Sequence, residues 1–207
     1  MTPSHGQASR RHFLRTAAAA APIPALGALA PAAHAESGAD GFPARSAEGR
    51  QWIGEWPAHL KEAAVHAMPV AVEWARRARW PFGAVLLDAG SGAVVAGARN
   101  TTDLSGDDTA HAETGLLREA AAAGRHLPGY AVVSTAEPCA MCAGALLWAG
   151  VRAVAYGTSV ARLISYGVPQ IDLSFTEITR RSLLSRPAVG RDVCSELTDP
   201  LYRDLTR

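Results

Sequence analysis

Two short stretches hold the residue types best suited to chemistry: Thr109-Ala110-His111-Ala112-Glu113 and Pro138-Cys139-Ala140-Met141-Cys142. One imidazole and two thiolates supply three ligands of the kinds zinc prefers. Three protein ligands leave the fourth tetrahedral place for water, which is the layout of a catalytic site and not of a closed structural one. Glu113 follows His111 too closely to be a natural fourth ligand, but it is well placed to exchange protons with that water. A lone C-x-x-C is a weak signal. With H-x-E ahead of it, the pattern implies one zinc ion per chain, held by His111, Cys139 and Cys142, with Glu113 as the catalytic acid–base.

The elements around these boxes must bring them together. The pattern predicts a helix over 110–123, capped by Asp108 or Thr109 and stopped by Gly124, then a buried strand over 130–136. Pro138 opens a second helix over 139–149, closed by Gly150. His111, Glu113 and both thiols would then lie in first helical turns, where backbone N–H groups are unpaired and the macrodipole is positive. That setting favours thiolates, and a three-residue step puts both sulfurs on one helical face. Upstream, Leu60, Ala64, Val65, Met68, Val72 and Ala75 recur at helical steps within 58–79, with Pro69 expected to kink or divide the helix. Short strands are predicted at 83–87 and 93–98, joined by the turn-rich Asp88-Ala89-Gly90-Ser91-Gly92, and a further strand at 152–156. Beyond Gly157 the signals weaken to short helices near 160–164, 175–184 and 197–205. Strand, helix, strand, helix, strand is the order of helices layered on an open sheet.

The paired boxes are the H-x-E and P-C-x-x-C signature of zinc deaminases. From about Val65 to Gly157 the chain resembles the cytidine-deaminase-like superfamily, most of all its guanine deaminase and tRNA adenosine deaminase branch. Pro81-Phe82-Gly83-Ala84-Val85 and Asn100 also match that branch. The resemblance implies a three-layer α/β/α sandwich with a central mixed sheet, and a homodimer in which a partner chain closes the pocket. It also implies hydrolytic removal of an amine from a small heterocycle, guanine-like in kind. Asn100 and Phe82 would read and stack on the ring, Ala112 and the N–H of Cys139 would steady the reacting atoms, and Trp148 would touch substrate. Those guanine deaminases carry an acid shortly after a Gly past the last shared strand. Here Gly167 leads into Val168-Pro169-Gln170, and the nearest acid is Asp172.

Charge and the N-terminus bear on partners. The formal net charge is +1, yet the first 35 residues hold Arg10, Arg11 and Arg15 and no acid; removing those three from 20 basic residues leaves 17 against 19 acidic, a net of −2. A chain that grips nucleic acid through phosphates shows a basic excess instead. Ser9-Arg10-Arg11-His12-Phe13-Leu14, the Ala-rich run after it and Ala33-His34-Ala35 together resemble a twin-arginine export signal over 1–35. The run is broken by Pro22, Pro24 and Pro31, which argues against a stable membrane anchor. Residues 36–57 read as a flexible lead-in and 58–207 as the catalytic domain, exported to the periplasm or beyond. Two other readings stay open: a tRNA adenosine deaminase sharing the same boxes, and a thiol–disulfide exchange protein using Cys139 and Cys142. Cys194 reads as a small buried apolar side chain.

Overall fold

The computed structural model describes residues 51–184, 186–203 and 205. The expected export signal over 1–35 and most of the lead-in lie outside the described residues. The elements run β1 (Trp52–Ile53), α1 (Ala58–Ala75), β2 (Gly83–Asp88), β3 (Val94–Arg99), α2 (Thr102–Ser105), α3 (Ala112–Ala122), a 3-10 turn (Leu127–Gly129), β4 (Tyr130–Ala136), α4 (Ala140–Ala149), β5 (Ala153–Thr158), α5 (Val160–Ser165), α6 (Phe175–Arg181), β6 (Ala188–Gly190) and α7 (Ser195–Tyr202).

Six strands form one sheet in the order β1-β6-β5-β4-β2-β3. β4–β5 and β5–β6 pair in parallel and the remaining neighbours antiparallel, so the sheet is mixed, as expected. Its central strands are apolar on both faces, because alternate side chains serve two separate cores. Leu86, Val132, Val154 and Tyr156 meet Leu116, Leu146 and Phe175 from α3, α4 and α6. Val85, Leu87, Val133 and Ala155 meet Leu60, Ala64 and Met68 from α1 on the opposite side. The result is the α/β/α sandwich. Among the described residues no helix is long and apolar enough to cross a membrane.

Three expectations need correction. Pro69 does not divide α1, which runs unbroken through it. Proline cannot donate to the carbonyl four residues back, Val65 O; the Cys194 thiol donates to that carbonyl instead, across 3.9 Å. Cys194 is therefore half-buried, with left-handed backbone (φ 52°) at the head of α7, and not simply core. Finally, Trp52–Ile53 of the expected lead-in is a strand paired with β6, and Trp52 stands edge-on to Trp56 with ring centroids 4.7 Å apart. Both strands are too short for periodicity to register.

Candidate active site

His111 falls two positions and Cys139 one position earlier in their helices than expected. Each is the N-cap of its helix with extended backbone, φ −70° and ψ 162° for His111 and φ −60° and ψ 167° for Cys139. The first turns begin at Ala112 and Ala140. Neither Asp108 nor Thr109 caps α3. Asp107 instead accepts from Thr109 N at 2.8 Å and Thr109 Oγ1 at 2.6 Å, and Thr114 Oγ1 donates to Thr109 O at 2.6 Å. These bonds hold the His box from both sides.

The three expected ligands converge, their donor atoms all within 4.8 Å of one another. His111 Nδ1 lies 3.6 Å from Cys139 Sγ and 3.6 Å from Cys142 Sγ. A tetrahedral zinc with Zn–S of about 2.3 Å and Zn–N of about 2.05 Å spans an N···S edge of about 3.6 Å. The trio therefore fits one Zn²⁺, with Nδ1 as the ligating nitrogen. Among the described residues no other group of three His, Cys, Asp or Glu side chains converges in this way. A hydrogen bond from Cys142 draws Cys139 down to about 4, while bonding to Cys139 and burial push Cys142 well up. His111 is raised, chiefly by its bond to Cys139.

Glu113, in the first turn of α3, is buried (6% exposed). Burial pushes its carboxyl up, the direction a proton-shuttling acid needs. Ser134 Oγ on β4 donates to its Oε1 at 3.0 Å and opposes that rise. His111, Glu113 and Cys139 open on a cavity of about 330 Å³, within the range of small-molecule sites.

The other expected site residues divide. Asn100 and Phe82 line the cavity. Asn100 N–H donates to Phe82 O at 2.9 Å and Thr101 N–H to Ala110 O at 3.0 Å, which ties the polar loop to the His box. The Phe82 ring rests on fully buried Tyr202 of α7, with centroids 4.9 Å apart. Tyr202 OH donates in turn to Thr135 Oγ1 at 2.7 Å. Ala112 is fully buried in the core and is not among the residues that line the cavity. Trp148 does not line the cavity; it is 80% exposed beside a groove formed with Leu147, Leu173 and Ile178. Six residues past Cys142 is about 240° around a helix and about 9 Å along it, which turns the indole away from the sulfurs.

Several lining or supporting residues carry no sequence flag. Ser134 and Thr135 read as ordinary strand residues. Glu137 immediately precedes Pro138 and is buried (4% exposed). Its Oε2 accepts Val160 N and its Oε1 accepts Phe175 N, each at 2.8 Å. One carboxylate thus meets the first N–H of both α5 and α6, while Ser159 and Ser174 serve the third N–H of the same helices. Between those helices, Val168, Pro169 and Gln170 form one wall of the cavity, and Trp80 contributes at its edge.

A mixed-sheet sandwich carrying a His/Cys/Cys centre with a buried glutamate beside it defines a class of zinc-site α/β proteins. Comparison with known proteins narrows the class. Residues 60–158 match the model of the cytidine and deoxycytidylate deaminase zinc-binding region. The chain is 42% identical over 99 residues to the tRNA-specific adenosine deaminase of Agrobacterium fabrum, covering 44% of this chain and 63% of that one. It is 40% identical over 78 residues to the guanine deaminase of Bacillus subtilis, covering 37% and 49%. Among solved structures, a tRNA:A34 deaminase acting in A-to-I editing at the wobble position is similar with a TM-score of 0.55 and 31% identity, over 66% of this chain and 98% of that one. The chain belongs to the cytidine-deaminase-like superfamily. It spans less than two thirds of the length of either curated relative.

Proposed function

We propose that this chain is a zinc-dependent hydrolytic deaminase of a free aminated heterocycle, a purine base or nucleoside of guanine-like kind, releasing ammonia. The observation that carries this reading is His111 Nδ1 at 3.6 Å from both sulfurs, with Glu113 opening on the same cavity.

Zinc bound by His111, Cys139 and Cys142 would supply a water whose pKa is lowered to roughly 7. Glu113 takes the proton of that water and delivers it to a ring nitrogen of the substrate. As the oxygen bonds to the ring carbon bearing the exocyclic amine, Glu113 takes the remaining proton from that oxygen and passes it to the amine. The amine leaves as ammonia when the C–N bond breaks, the carbon keeping the oxygen. Ser134 Oγ donates to Glu113 Oε1 and orients the carboxylate beside the cavity. A positioned acid–base of this kind contributes about a hundred- to ten-thousand-fold in rate. Phe82, backed by Tyr202, gives a flat apolar surface for a planar ring.

The tRNA:A34 deaminase and the A. fabrum enzyme favour a tRNA adenosine as the second reading. The net charge of −2 over residues 36–207 weighs against it, as does export, which rests on the sequence pattern at the N-terminus. The zinc-loaded full chain, incubated with guanine, adenine, cytosine, their nucleosides, pterins and a tRNA anticodon stem-loop, is assayed for ammonia. The proposal expects release from a free heterocycle, abolished by Glu113→Gln with zinc retained. Turnover unchanged in that variant would remove Glu113 from the mechanism, and turnover of the stem-loop alone would favour the second reading.

A further inference from the structure

Asn100 follows β3 directly and is only 4% exposed, yet it lines the cavity. Its side-chain oxygen is spoken for. Oδ1 accepts from Thr102 N at 3.1 Å and from Thr102 Oγ1 at 2.8 Å. A backbone N–H can only donate, so the amide atom facing it must be the oxygen. Two donors fill the two lone pairs of that oxygen, and the Nδ2 group is left with two N–H bonds to offer. No partner for Nδ2 is recorded among the described residues. Nor can the amide turn over, because the flipped form would set its NH₂ against the Thr102 N–H in a buried place, where an unmet donor is costly.

Glu137, which lines the same cavity, has its carboxylate engaged by backbone donors. Both oxygens of Glu137 are occupied by Val160 N and Phe175 N. We infer that Thr102 is a positioning residue which fixes Asn100 as a donor only, so that the pocket admits a heterocycle presenting a lone pair, from a ring nitrogen or a carbonyl oxygen, at that point. A ring offering N–H there meets donor against donor and is refused. This inference rests on the deaminase reading and specifies how its substrate is selected.

The test compares wild type, Thr102→Val, Thr102→Ser and Asn100→Asp as zinc-loaded full-length protein, with guanine and adenine as probes. Val keeps the shape of Thr and its backbone N–H but removes the hydroxyl donor. The expected result is a KM for the better probe raised roughly three- to tenfold in Thr102→Val, in line with one buried hydrogen bond. In the same variant kcat stays within about twofold and zinc content is unchanged. Thr102→Ser restores wild-type KM, and Asn100→Asp, which offers an acceptor in place of the donor, loses binding of both probes. In parallel, the Asn100 side-chain NH₂ resonances in 15N-labelled protein shift in Thr102→Val and return in Thr102→Ser. A KM within twofold of wild type in Thr102→Val, or equal rises in the Val and Ser variants, overturns the inference. Absence of ammonia from every probe defeats the deaminase reading instead, and the amide resonances then still decide whether Thr102 holds Asn100.

Discussion

Replacing Glu137 by glutamine is the sharpest test of how the cavity wall is held. The carboxylate takes two backbone N–H donors at 2.8 Å, one from the start of α5 and one from the start of α6. Bonds to a charged acceptor contribute about 1.5–3 kcal/mol each. Glutamine is the same size and keeps one carbonyl oxygen for one of the N–H groups, without the charge. Its NH₂ faces the other, donor to donor, and a buried donor left unmet costs about 1–3 kcal/mol. Adding the weakening of the remaining bond, the expected loss is about 3 kcal/mol, because the site is nearly fully buried and solvent does little to screen it. For a domain of about 150 residues that corresponds to roughly 6–12 °C in Tm. The assay is thermal unfolding of the zinc-loaded protein by circular dichroism, with Glu137→Ala alongside. If part of the loss is local opening of α5 and α6, hydrogen exchange at Val160 and Phe175 rises ahead of the sheet. A Tm within about 2 °C of wild type for both variants would refute the reasoning and mean that Ser159 and Ser174 suffice as caps.

Three further outcomes are expected. Cys139→Ser should bring zinc, measured by elemental analysis, from about one per chain to well below that and abolish ammonia release, as should chelation of the wild type, with re-addition of zinc restoring only the latter. Glu177 is held down to about 2 by its bonds to Arg180 and Arg181, below its ordinary value of 4.5. Its contribution to stability is therefore full above about pH 4.5 and is lost as pH falls through about 2, and NMR titration of the Glu177 carboxyl carbon should give that midpoint where a value near 4.5 would contradict it. Trp148, 80% exposed beside an apolar groove, is the residue expected to be covered by a second copy. The wild type is expected to sediment as a dimer and Trp148→Glu as a monomer with zinc content unchanged; a monomeric wild type would contradict the dimer, and an unaltered dimer in the variant would place the contact elsewhere.

Much of this was legible in the residues. The His111, Cys139 and Cys142 trio was readable because metal ligation demands particular side-chain types at short spacing, and two of the chain's three cysteines stand in one C-x-x-C box. The central strands were readable because both of their faces are buried. What escaped was written in geometry. Glu137 and Ser134 act through carboxylate and hydroxyl directions, which spacing does not encode. β1 and β6 hold two and three residues, below any detectable period. Pro69 suggested a break because the thiol that meets Val65 O arrives from 129 residues away. Trp148 was matched by position to a family pattern, while helical rotation turned it outward.

The support beneath Phe82 comes from residue 202, long after the ligands at 139 and 142. During synthesis the trio leaves the ribosome well before the ring that props its neighbouring aromatic. A chain stopped short of α7 would thus still own every group needed to capture a cation, yet Phe82 in the cavity wall would lack its backing. The ligands of the cation and the backing of the cavity's aromatic wall are thus supplied by separate stretches of the chain.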